Sequence, residues 1–134
     1  MYIKKINLKN FRNYEEAEIT LDKGINIFYG DNAQGKTNII ESVFLCSMGK
    51  SFRSKKDKEL IKFNELSTEV KMDYEKQDRS GTIKARIGEK KEFFINGVKQ
   101  TKVSNIVGKI NIVIFSPDDI DIIKEGPREK KKVY

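Results

Sequence analysis

The chain has no histidine and a single cysteine among its 134 residues. The commonest general base and the commonest metal ligand are therefore missing. With Cys46 alone there is no internal disulfide framework, and a structural zinc site is close to excluded. Cys46 lies inside an apolar helical pattern, which reads as a buried structural thiol rather than a reactive one. A long apolar run is also missing, since nothing approaches the ~20 residues that cross a bilayer. The opening MYIKKINLKNF alternates apolar and polar residues, so a strand is expected there and not a signal peptide. The simplest setting is a reducing cytoplasm, with no membrane involved.

Charge, by contrast, is plentiful. Charged residues make up 35% and apolar residues 37%, a balance that supports one soluble, folded domain. The net charge is +7, and residues 51–102 hold 14 of the basic and 9 of the acidic groups. A basic domain leans toward polyanions such as nucleic acid. A solvated Lys/Glu surface has the same composition, so charge alone does not separate the two.

Periodicity then orders the chain. YIKKINLKNF and AEITLD read as strands, joined through Asp22–Lys23–Gly24 to a third, INIFYG, whose continuous apolar character suits a buried central position. From Lys36 the spacing turns helical through Ile39, Ile40, Val43 and Phe44, with Gly49 as the stop. KSFRSKKDKEL is a basic connector. TEVKMDYEK, GTIKARIG and KEFFING predict an antiparallel meander, with Asn96–Gly97 a tight turn and Phe93 and Phe94 in the core. INIVIF (110–115) predicts a second buried strand, and SPDDIDIIKEG a short capped helix. The expected fold class is α/β, with a mixed sheet around a nucleotide-binding core and an antiparallel flank, as one domain over 1–134.

The strongest local signal is FYGDNAQGKTNII, residues 28–40. Gly30, four residues, then Gly35–Lys36–Thr37 is the phosphate-loop pattern in full. The glycines let the backbone approach phosphate oxygens. Gly30, Asp31, Asn32, Ala33, Gln34 and Gly35 would form an anion nest, and the following helix adds its positive end. The Lys36 ammonium reaches the β- and γ-phosphates and the Thr37 hydroxyl ligates Mg²⁺. Position between a buried strand and an amphipathic helix supports this over a chance Gly-rich turn. Asp118 or Asp119, after strand 110–115, is the candidate second Mg²⁺ ligand. Ser116–Pro117 before them also builds a helix start, and capping is the favoured reading.

Taken together, NFRNYEEAEI, GDNAQGKTNIIESVF, GKSFRSKKDKELI, FFINGV and FSPDDIDIIKEGPREKKK resemble the N-terminal part of the RecF family of bacterial DNA replication and recombination-repair ATPases. The resemblance runs from residue 2 to the end. It implies lobe I of an ABC-type P-loop NTPase head, akin to SMC heads, that binds ATP and Mg²⁺ between two copies of itself. Gly30 through Thr37 fall on its Walker A positions. Arg12 and Asn13 fall on the strand-end motif beside the nucleotide. Asp118 and Asp119 fall near the Q-loop, although the glutamine usual there is absent from FSPDD. The resemblance further implies that the signature motif, Walker B strand and helical arm lie beyond residue 134, so that this part alone hydrolyses almost nothing. Duplex and single-stranded DNA, RecR and RecO are the implied partners. Arg53, Lys55 and Lys56 are candidate DNA phosphate contacts; Ser51 and Arg53 alternatively pack against the P-loop helix. Two other readings stay open: a self-contained small P-loop NTPase or kinase using Asp118, and a DNA-binding module with a vestigial P-loop.

Overall fold

The structure is a computed structural model and describes residues 1–29 and 33–114, with the backbone only for Ala33 and Gln34. Strands β1 (Tyr2–Phe11), β2 (Tyr14–Thr20), β3 (Thr68–Lys76), β4 (Arg79–Ile87), β5 (Lys91–Ile95) and β6 (Val98–Lys99) form one sheet in the order β2-β1-β3-β4-β5-β6. Every pairing in it is antiparallel. The N-terminal hairpin and the predicted meander are therefore one surface, joined where β1 pairs with β3.

Alternation puts apolar side chains on one face in cross-strand rows. Leu8, Val70, Ala85 and Phe93 form one row, and Ile6, Met72, Ile83 and Ile95 the next. All but the half-buried Ile95 are almost fully buried. Helix α1 (Ala33–Met48) closes this face with Leu45 and Cys46, neither of them exposed. Phe44 meets Phe52 edge-on at 5.6 Å. Helix α1 ends as predicted at Gly49, whose φ of +79° suits a glycine stop and whose N–H donates to the Leu45 carbonyl at 2.8 Å. The Asn96–Gly97 turn also appears, with φ of 50° and 82°, and it leads into β6.

Three expectations differ. Phe94, next to the core residue Phe93, points to the opposite face of the sheet by alternation. There the Lys84 Nζ lies 4.7 Å and the Arg86 guanidinium 5.2 Å from its ring centroid. Residues 25–29 are not a buried strand: Ile25, Ile27 and Tyr29 are 90%, 77% and 88% exposed. Residues 111–114 carry no strand either, although Ile110 is buried and makes an isolated parallel bridge with Val107. A strand apolar on both faces needs a neighbour along each edge and cover above and below. Among the described residues no strand lies beside either segment. The predicted helix at 116–126 lies outside the described residues.

Candidate nucleotide site

Helix α1 begins at Ala33, three residues before the apolar spacing turns helical, so Gly35, Lys36 and Thr37 belong to its opening turns. Its first turn carries no acidic residue. An anion at this end would meet the positive pole of the helix, and no carboxylate of the helix's own first turn would cancel it. Gly35 is buried, and Lys36 and Thr37 are half-buried. Gly35 and Lys36 line a cleft of about 320 Å³ together with Tyr14, Phe28 and Tyr29. Of the other P-loop positions, Gly30, Asp31 and Asn32 lie outside the described residues.

The β1–β2 turn runs along this helix in the opposite direction. Tyr14 Oη donates to the Gly35 carbonyl at 2.9 Å, and Asn38 Nδ2 donates to Asn13 Oδ1 at 2.7 Å. Arg12 donates through Nε and Nη2 to the two Glu41 carboxylate oxygens, each at 2.8 Å. Residues 35, 38 and 41 recur every third position and share one side of the helix. Residues 14, 13 and 12 meet them in turn. The geometry requires a tight loop of Arg12 and Asn13 between the paired Phe11 and Tyr14. Arg12 occupies it with φ of 55°, a region that disfavours residues other than glycine. Its N–H donates to the Leu60 carbonyl at 2.9 Å, so the turn is held from both sides.

Glu41 is the hub. Its side chain has no solvent exposure and accepts from five donors. Besides Arg12 these are Ser51 Oγ at 2.5 Å, and Arg53 through Nε at 3.1 Å and Nη2 at 3.0 Å. The Ser51 hydroxyl also accepts the N–H groups of Arg53 and Ser54, which folds the connector back on the helix. Arg53 Nη2 additionally donates to Asn38 Oδ1, and Arg12 Nη2 to Ser54 Oγ. Burial alone would push the Glu41 carboxyl up. The hydrogen bonds from Arg12, Arg53 and Ser51, with the Arg12 charge, outweigh it and hold the pKa at about 2. One carboxylate between two guanidinium groups leaves a net positive charge. It faces a cleft of about 850 Å³ lined by Arg12, Arg53, Lys58 and Lys62 and by one carboxylate, Glu59, among others.

The structure thus brings Arg12 and Asn13 onto the P-loop helix. It also places Ser51 and Arg53 there, and the Arg53 side chain remains one-third exposed. Lys55 and Lys56 are exposed on the connector, and no ion-pair partner for them occurs among the described residues. Asp118 and Asp119 lie outside the described residues. Glu41 is the residue that sequence reading missed. Its spacing of three from Asn38 and four from Leu45 places a carboxylate on a stripe that is otherwise buried. No helix among the described residues is long and apolar enough to cross a membrane.

The phosphate-loop sequence precedes a helix that closes one face of the sheet, which fits a P-loop ATPase head. The AAA domain profile matches residues 5–132, and the chain belongs to the AAA domain family. Within it, the chain is 49% identical to the DNA replication and repair protein RecF of Clostridium kluyveri, over 98% of this chain and 37% of the relative. It is 46% identical to RecF of Clostridium tetani, over 98% and 36%. The chain therefore spans little more than a third of the length of these relatives. Among solved structures it superposes on the recombination mediator protein RecF with ATP, of the RecFOR pathway, with a TM-score of 0.83 and 40% identity over 94% of this chain and 36% of that one. The SMC head domain from Thermotoga maritima, at 19% identity, shares the fold with a TM-score of 0.64 over 83% and 43%.

Proposed function

We propose that this chain is the ATP-binding lobe of a RecF-like ATPase that acts in DNA replication and recombinational repair. The observation that carries the reading is the opening of α1. Gly35, Lys36 and Thr37 sit in the opening turns of a helix whose first turn has no acidic residue, with Gly35 held by Tyr14 and Gly35 and Lys36 opening onto a cleft. Lys36 would neutralise the β- and γ-phosphates, and Thr37 would hold Mg²⁺. The metal supplies charge neutralisation between the phosphates when bound. Arg12 and Asn13 border the nucleotide. A second copy would complete the site, and closure of the two heads would grip gapped or junction DNA in the cytoplasm. Lys55, Lys56 and the exposed part of Arg53 contact DNA phosphates, with RecR and RecO as protein partners.

Calorimetry with Mg-ATP tests the reading on this chain. Binding that Lys36→Ala weakens at least tenfold is the expected result. Equal heat from both proteins would overturn it. Steady ATP turnover by the 134-residue chain, lost in Asp118→Asn, would favour the self-contained NTPase instead.

A further inference from the structure

We propose that Glu41 is a positioning residue for the nucleotide site, holding the Arg12 and Arg53 guanidinium groups side by side against an anionic group in the cleft they line, one helix turn along α1 from Gly35. The inference rests on the nucleotide-binding reading above. It starts from the origins of the two arginines. Arg12 comes from the β1–β2 turn and Arg53 from the connector after α1, segments tied by backbone bonds at Leu60 and Lys62 and by the Arg12–Ser54 contact. The direct bonds of both to one side chain converge on Glu41.

Two guanidinium groups this close repel unless a carboxylate lies between them. Glu41 supplies it, with every lone-pair direction engaged by its five donors. The bonds described use Nε and Nη2 of each arginine. Neither Nη1 has a partner among the described residues, and both arginines line the cleft of about 850 Å³. The rigid fork of each arginine means that fixing one edge aims the other. Arg12 sits at φ of 55°, held by its N–H bond to the Leu60 carbonyl as well as by the bidentate contact. Stability alone is a weak reason to bury such a cluster, because apolar side chains of equal volume commonly serve as well. Preorganised donors aimed at an anion are a better one.

The test compares wild type, Lys36→Ala, Glu41→Gln, Glu41→Asp, Arg53→Met and the double variant Glu41→Gln with Arg53→Met, using a fluorescent ATP analogue and inorganic triphosphate as competitor. Circular dichroism of each protein gives its fold and Tm. Glu41→Gln is expected to weaken triphosphate binding about tenfold, the size of one charge-assisted hydrogen bond. Arg53→Met should add little on top of Glu41→Gln, because the arginine is already misaligned. A merely structural role would not produce that non-additivity in affinity. Glu41→Asp keeps the charge but loses reach. Should Glu41→Gln not fold, a threefold or greater loss in folded Glu41→Asp supports the proposal and wild-type affinity overturns it. Wild-type affinity in folded Glu41→Gln, with binding lost in Lys36→Ala, sinks the positioning role and leaves the nucleotide reading standing. Undiminished binding by Lys36→Ala removes the reading and this inference with it.

Discussion

At the scale of single residues, the two most displaced titrations lead to opposite behaviour. Glu41 has a folded-state pKa of about 2 against an ordinary value of 4.5. A depressed carboxyl stabilises the fold fully above the unfolded pKa and loses that contribution as pH falls through the folded one. The urea midpoint of the wild type is therefore expected to drop between about pH 4.5 and 2, and Glu41→Gln should flatten that drop. At pH 7 the same substitution leaves two arginines around an uncharged amide, at a cost of about 3 kcal/mol in chemical denaturation. Cys46 goes the other way: complete burial pushes its thiol up to about 12. A thiol reagent at pH 8 should label it only after denaturation, at the rate of global unfolding. Its inertness was legible from its place in an apolar helical run. The importance of Glu41 was not, because its partners lie 29 and 12 residues away in sequence.

At the scale of elements, regular repeats were legible and lateral partners were not. Period-two alternation located β1, β3, β4 and β5, and the Asn96–Gly97 pair located the turn after β5. Gly49 was legible as the end of α1, and the structure adds a second constraint there. A Cβ at Gly49 would lie 2.3 Å from Val103 Cγ1, and φ is +79°. Gly49→Ala is expected to lose about 2 kcal/mol in thermal or urea unfolding. Adding Val103→Ala should remove the clash but not the backbone strain, so recovery is partial. The segments 25–29 and 111–114 misled because continuous apolarity reports what a strand could bury, not whether a neighbour is present. Phe94 misled for a related reason. The outer face of an antiparallel sheet is solvated, and there an aromatic ring serves as a seat for Lys84 and Arg86.

At the scale of the whole molecule, the basic connector and the P-loop helix are one unit, because Ser51 and Arg53 anchor on Glu41 and leave Lys55 and Lys56 outside. If these lysines meet DNA phosphates, Lys55→Glu with Lys56→Glu weakens duplex binding without regard to sequence. The slope of log K against log salt should then fall by about 2, read from titrations between low and moderate salt. An unchanged slope would place the DNA contact elsewhere on the surface.

The N-terminal hairpin, the meander of β3 to β5, the end of α1 and the phosphate-loop pattern were settled by the amino-acid sequence, because each rests on a local repeat or on residues within one turn of each other. The tertiary structure decided that the β1–β2 turn lies along α1, that Arg12 and Arg53 share one buried carboxylate, and that the N-terminal hairpin and the meander are one sheet. Those facts depend on contacts between segments far apart in the chain, whose energies appear only once the fold has brought opposite charges together and taken them out of water.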